Sequence, residues 1–364
     1  MTELEQAVRE ALKAVKYPET SKDIVATGIF RGLKEASGEV TVQLSLPTMV
    51  VEPQVREKFE KNVAATVEKV PGVGRVGIES TVRVVALPPA GDKNRMPGVK
   101  NVIAVASGKG GVGKSTVATN LAMALKRWGA RVGLLDADIF GPSVPQMLGD
   151  PSQPAGGTPD KRISPAVYKG LPVMSVAFFV QKADAVVWRG PMVHKLLQQF
   201  LEDVDWGELD YLVVDFPPGT GDVQLSMAQL APMSGALMVT TPQEVAVIDV
   251  IKGMSMFKKL EVPILGVVEN MSYYVCPSCG HHDEIFARGG GRRLAETMEA
   301  PFLGEIPLDS KVRFGGDTGM PVVIGAPDSE HARIFMELAT RVASKLVANA
   351  LAGPRRVASL VAIR

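Results

Sequence analysis

Apolar side chains recur along the first part of the chain with two different periods. Leu4, Val8, Leu12 and Val15 fall at nearly helical spacing, and Val55, Phe59, Val63, Val67 and Val70 repeat every three or four residues, so each run predicts an amphipathic helix. Residues 40–46 and 75–82 alternate apolar with polar positions instead, the pattern of half-buried strands. Together these elements predict a small α+β domain over residues 1–88. Residues 89–98 mix proline, glycine and charge, the composition of a linker.

From residue 99 onward the pattern changes. Short, almost wholly apolar runs at 101–106, 131–136, 210–215, 235–240 and 264–269 alternate with helical stretches. Strands buried on both faces have that character, and they belong to parallel sheets. The predicted architecture over residues 99–352 is therefore α/β, a doubly wound, mainly parallel sheet with helices on both faces and its ligand at the carboxyl ends of the strands. Residues 151–162 predict a surface loop. Ile334, Leu338, Val342, Leu346 and Val347 outline a closing helix to about residue 351, and residues 353–364 predict a weakly ordered tail.

Composition narrows the picture. A chain of 364 residues, 46 % hydrophobic and 22 % charged, can bury two sizeable cores. Its 40 basic and 39 acidic side chains leave a net charge of +1, which gives no electrostatic case for nucleic acid as a main partner. The opening residues Met1 to Glu5 lack the basic and apolar regions of a signal peptide, and no apolar run reaches the roughly 18–20 residues of a membrane span. These features predict a cytoplasmic protein without a membrane partner. A disulfide between the two cysteines, Cys276 and Cys279, would enclose almost no chain, so they point to chemistry or to metal.

The run Gly108-Lys109-Gly110-Gly111-Val112-Gly113-Lys114-Ser115-Thr116 is a complete phosphate-binding loop between a predicted strand and a predicted helix. Its glycines let backbone N–H groups and a helix N-terminus face an anion. Lys114 is placed to reach the β- and γ-phosphates of ATP, and Ser115 to offer its hydroxyl to Mg²⁺. The extra lysine, Lys109, makes the run resemble the deviant Walker A group, and the resemblance implies that Lys109 crosses a twofold interface to the partner's nucleotide. Asp136 and Asp138 follow the second apolar strand, within reach of Mg²⁺ and an attacking water. Asp215 ends the third in the Walker B manner, as a holder of Mg²⁺. The stiff-then-flexible segment Pro217 to Asp222 is built to respond to loss of a γ-phosphate. Helix or turn capping is the competing role for Asp138 and Asp222.

Cys276-Pro277-Ser278-Cys279-Gly280 is a C-x-x-C knuckle, half of a tetrahedral thiolate site. Three outcomes fit the spacing: zinc completed by His281 or His282, a redox dithiol, or a cluster shared by two chains. Adjacent histidines diverge, which makes a single-chain zinc site awkward, whereas a Cys pair from each subunit of a twofold dimer gives four thiolates at the axis.

The joint presence of the phosphate loop, Asp136 to Ser143, Trp188 to Met192, Asp215 to Asp222, Glu269 to Ser272 and the Cys276–Cys279 knuckle resembles the Mrp/NBP35-type iron–sulfur cluster carrier ATPases over about residues 99–350. The resemblance implies a homodimer that holds a [4Fe–4S] cluster between its two cysteine pairs, hydrolyses ATP slowly and passes the cluster to apoproteins. It places Asn270 where relatives contact adenine, a position a turn residue would also fill. The first domain resembles the MIP18-like module that precedes the ATPase in many bacterial members. It departs from that pattern at Tyr17-Pro18-Glu19 and at Leu46-Pro47-Thr48-Met49, where some versions carry a cysteine, and docking is its expected role. Two other functions compete: a deviant Walker A positioning ATPase of the membrane- and DNA-organising kind, and an ATPase with a structural zinc knuckle.

Overall fold

The computed structural model describes residues 2–36, 39–87, 96–179 and 190–353, apart from the side chain of Asp222. The chain divides into two compact units, residues 1–87 with 343–364, and residues 88–342. Of the sequence expectations, the tail beyond Gly353, most of the linker and the pair Trp188-Arg189 lie outside the described residues.

In the first unit, helix α1 (Glu3–Leu12) starts at Thr2, whose hydroxyl oxygen accepts from the Glu5 N–H at 3.1 Å, with Glu3 and Glu5 in its first turn. A side-chain cap and early acids satisfy free donors and oppose the helix dipole. Strands β1 (Phe30–Ala36) and β2 (Glu39–Leu46), helix α2 (Pro53–Val67) and strand β3 (Arg75–Val82) follow. They form a sheet in the order β1-β2-β3, with β2 parallel to β3. Val8, Leu12, Val42, Leu44, Val63 and Val67 fill its core, and Phe59 meets Tyr17 edge-on at 5.1 Å between ring centroids. Val347, near the end of the closing helix, is buried in this same core.

The second unit is wound as the hydrophobic pattern predicts. Strand β4 (Val102–Ser107) leads through the glycine-rich loop to helix α3 (Lys114–Arg127), then β5 (Val132–Asp136) and the short α4 (Val144–Leu148). A small ribbon, β6 (Gly156–Gly157) with β7 (Ile163–Ser164), closes the exposed loop that begins at residue 151. Next come β8 (Ala166–Tyr168), β9 (Leu171–Ser175), α5 (Gly190–Glu202), β10 (Tyr211–Asp215), α6 (Asp222–Leu230), β11 (Gly235–Thr240) and α7 (Glu244–Lys259). The unit ends with β12 (Ile264–Val275), β13 (His282–Asp283), α8 (Gly290–Thr297), β14 (Phe302–Leu308), α9 (Ser310–Asp317), α10 (Val322–Gly325) and most of α11 (Glu330–Ala352).

The sheet order is β13-β12-β11-β4-β10-β5-β9-β8, with β14 also on β12. Among the described residues, only the small strands β8 and β13 of this sheet run antiparallel to their neighbours. Strands β4, β5, β10 and β11 are buried at every position, as both-face burial in a parallel sheet requires. Their carboxyl ends therefore share one edge, and the loops that follow β4, β5 and β10 meet there. β12 is twice the length its apolar run predicts, because it continues past Glu269 with polar and aromatic residues paired to β13 and β14. β1 escapes the alternation rule because Arg31, Lys34 and Glu35 sit on an edge strand with a bulge between Phe30 and Gly32.

Phe257 of α7 is fully buried and packs on Phe216 at 5.5 Å, behind the segment that follows β10. Phe257→Ala should therefore destabilise this unit by about 3–5 kcal/mol. The chain's tryptophans lie between residues 128 and 206, all in this unit, so urea unfolding followed by tryptophan fluorescence reads the loss directly. An unchanged midpoint would contradict the packing described.

Candidate functional site

The site begins where β4 ends. Ser107 donates its hydroxyl to the carbonyl of Lys109 at 3.0 Å, which starts the loop's turn. The loop closes on Gly113, the N-cap of α3, in the left-handed region at φ 81°. A side chain there would be strained and would also overlap the Asn270 amide, so only glycine fits. The first N–H groups of α3 face a cavity of about 200 Å³ lined by Lys109, Gly110, Gly111, Gly113, Lys114, Ser115, Thr116 and Asp138. Asp138, Lys109 and the phosphate loop thus meet at one cavity.

Lys114 is 6 % exposed, and its ammonium donates to Asp215 Oδ1 at 2.6 Å and to Ser115 Oγ at 3.3 Å. Asp138 Oδ2 lies 3.8 Å away. The second oxygen of Asp215 is buried and has no hydrogen-bond partner among the described residues, so this carboxylate has an acceptor to spare beside the one that holds the ammonium. Burial pushes the Asp215 and Asp138 carboxyls up, and in each case Lys114 pulls back. Asp136 pairs with Asp215 across β5 and β10, and burial, then repulsion from Asp215, pushes it up to about 8. Its oxygens accept from Ser175 Oγ at 3.0 Å, the Val144 N–H at 3.3 Å and the Asp138 N–H at 3.2 Å. Asp136 therefore lies behind the cavity and shapes the turn that presents Asp138. Ser175, at the end of the unforeseen strand β9, belongs to this support.

The segment after β10 is tied back to the loop. The Gly219 N–H donates to the Ser107 carbonyl at 3.1 Å, and the Gln224 amide donates to the Pro218 carbonyl. Helix α6 begins at Asp222 with Gly221 in the cap position; the side chain of Asp222 lies outside the described residues.

β12 touches the loop from the other side and leads to the cysteines. Asn270 donates from Nδ2 to the Val112 carbonyl at 2.8 Å. Met271 then takes a left-handed conformation at φ 56°, rare for a non-glycine residue, and the register with β14 shifts between Asn270 and Tyr274. Glu269, fully buried, accepts from Ser272 Oγ at 2.5 Å and from the N–H groups of Gly289 and Gly291 at the start of α8, at 3.0 and 2.5 Å. The run Glu269 to Ser272 stands out in the sequence, but this clamp does not. The glycine triplet at 289–291 was its available signal.

Cys276 follows the last residue of β12. Its N–H donates to the His281 carbonyl, and its carbonyl accepts from the Gly280 N–H, both at 2.9 Å, closing a tight knuckle. Backbone hydrogen bonding from Ser278 and Cys279 lowers the Cys276 thiol. Neither cysteine is in a disulfide, and Cys279 is exposed. The ring of His282 stacks on Tyr273 at 5.6 Å, and the Arg288 guanidinium covers that tyrosine 5.0 Å from its ring centroid. Among the described residues no three His, Cys, Asp or Glu side chains converge on a metal position, and no helix is long and apolar enough to cross a membrane.

Comparison with known proteins agrees with this arrangement. Residues 98–343 match the family described as NUBPL iron-transfer P-loop NTPase, and residues 5–79 match one described as iron–sulfur cluster assembly protein. The chain is 46 % identical over 347 residues to an iron–sulfur cluster carrier protein of Deinococcus radiodurans, covering 94 % of this chain and 96 % of that one. It is 46 % identical over 290 residues to the iron–sulfur cluster carrier protein of Escherichia coli K12, covering 80 % and 79 %. Among solved structures, the nucleotide-binding protein of Archaeoglobus fulgidus in complex with ADP aligns with a TM-score of 0.56 at 39 % identity, over 62 % of this chain and 89 % of that one. The Pyrococcus furiosus cell division ATPase MinD aligns at 0.50 and 28 % identity, over 66 % and 98 %. The family match spans most of the second unit and the relatives align over most of the chain, so the chain belongs to the NUBPL iron-transfer P-loop NTPase family of iron–sulfur cluster carriers.

Proposed function

We propose that the protein is a cytoplasmic homodimer that binds ATP with Mg²⁺, hydrolyses it slowly, and carries a [4Fe–4S] cluster between the Cys276–Cys279 pairs of two copies for delivery to apoproteins. The observation that carries this reading is the knuckle itself: two free thiols and no third ligand nearby among the described residues. Two donors do not complete a tetrahedral site, and a second copy supplies the other two. The exposed position of Cys279 suits a cargo that must be handed on.

At the phosphate loop, Lys114 exchanges its carboxylate partner for the β- and γ-phosphates. The spare oxygen of Asp215 and the hydroxyl of Ser115 suit Mg²⁺, which when bound neutralises phosphate charge. Asp138, raised by burial and at the cavity wall, orients the attacking water and holds its proton. Lys109 reaches the nucleotide of the second copy, and Asn270 borders the adenine. The first domain docks the apoproteins or the assembly scaffold, and that division of labour follows the limits 1–88 and 99–352 except that residues 343–352 group with the first unit.

Lys114→Ala should abolish ATP binding or turnover while leaving iron uptake by the apoprotein intact, which isothermal titration and iron analysis after anaerobic reconstitution would show. Cys276→Ala should do the reverse, losing the iron and keeping the nucleotide; wild-type iron content in that variant would refute a bridging cluster.

Because backbone N–H groups stabilise the Cys276 thiolate, its thiol titrates below the ordinary range, and the thiolate persists to lower pH. In iron-free Cys279→Ser protein, the rate of iodoacetamide reaction should therefore reach half its maximum at a pH below that of a free cysteine in a peptide. A profile matching the peptide would contradict the N–H geometry.

A further inference from the structure

The phosphate loop and the cysteine pair are parts of one strand's surroundings, and the strand is kinked between them. Asn270 of β12 donates to the Val112 carbonyl, within the phosphate loop itself. Met271, next along, adopts φ 56°. From Asn270 to Cys276 the chain spans at most about 20 Å of extended backbone. Beyond the kink it is fastened to β13 at Tyr274 and Val275 and to β14 at Tyr274. A movement of the loop therefore reaches the knuckle only if the kink pivots as a unit and does not flex.

Glu269 and Ser272 bracket that kink and are bonded to each other across it. Both are fully buried, and the Glu269 carboxylate is fixed in turn by the N–H groups of Gly289 and Gly291. A side chain on Gly291 would crowd the Glu269 side chain at 2.9 Å, so helix α8 seats directly on the carboxylate. Neither Glu269 nor Ser272 lines the nucleotide cavity, and neither is part of the knuckle. Four residues with one internal bond and one rigid support form a pivot, with the loop on one arm and the cysteines on the other.

We propose that the Glu269–Ser272 clamp is the element that couples nucleotide occupancy to the hold on the iron–sulfur cargo, with Glu269 and Ser272 as positioning residues. The inference rests on the carrier reading above and adds the route between its two sites. Asn270 senses the loop through Val112, the clamped kink turns as a body, and the end of β12 shifts Cys276 relative to its copy in the partner. By linkage, the cluster changes nucleotide affinity by the same factor that nucleotide changes cluster affinity. Removing the Ser272 hydroxyl frees one side of the kink, and loop movements are then absorbed at Met271.

The test is ADP affinity, measured by anaerobic isothermal titration on full-length protein with and without its reconstituted cluster, for wild type and Ser272→Ala. Wild type should show a difference of about fivefold or more between the two forms. In Ser272→Ala the apoprotein should bind ADP and take up iron as wild type does, while the difference falls to about twofold or less. Glu269→Gln, whose amide nitrogen cannot accept from a backbone N–H, should lose the difference in the same way. A Ser272→Ala protein that keeps the wild-type difference overturns the clamp while leaving the carrier reading standing. One that loses ADP binding or iron uptake outright also overturns it, since Ser272 would then build a site and not join two. Wild type that takes up no cluster overturns the carrier reading and the clamp together.

Discussion

One buried ammonium sets the terms for the nucleotide site. Lys114 Nζ lies among Asp215, Asp138 and the Ser115 hydroxyl, almost without contact with water, and its charge is tolerated there only because Asp215 sits 2.6 Å away. Taking an ion from water costs several kcal/mol, and breaking a buried pair leaves the other partner uncompensated. The pair therefore ties the first turn of α3 to the carboxyl end of β10. A phosphate that draws Lys114 away leaves Asp215 with an unmet charge, and a divalent cation is the natural replacement. The raised position of Asp136, held at about 8 by burial and by Asp215, removes one negative charge from the same cluster at neutral pH. Ionising Asp136 would place two carboxylates side by side across β5 and β10, so this group lowers stability as pH rises from the ordinary carboxylate range toward 8.

Much of this was legible in the sequence because it follows from short-range rules. Each of the five apolar runs becomes a strand of one sheet, since a run without polar interruptions can only be buried on both faces. The phosphate loop is bounded by a strand and a helix, and the acids at 138 and 215 arrive at it because parallel strands end at the same edge. The C-x-x-C spacing gave a tight knuckle with free thiols.

What escaped the sequence depends on distant partners. Ser175 supports Asp136 from β9, a strand that is short and paired into a small hairpin at the sheet edge. Glu269 reads as a polar residue ending a strand, yet it is fully buried because the glycines at 289–291 deliver backbone donors to it. The continuation of β12 to Val275 has no apolar signature, since its last residues are stabilised by pairing and not by core burial on both faces. These long-range contacts are the ones that join the nucleotide loop to the cysteines. A strand that stopped at residue 269 would have left the two sites unrelated.

In the arrangement we propose, two copies of this chain hold one cluster through four thiolates. Its most direct test is to purify the protein without oxygen, reconstitute it with iron and sulfide, and measure iron, sulfide and zinc against the mass of the species in solution. The account predicts a dimer carrying about four iron and four sulfide, with no zinc. A monomer that retains the cluster, or a protein that binds zinc and no sulfide, would contradict it.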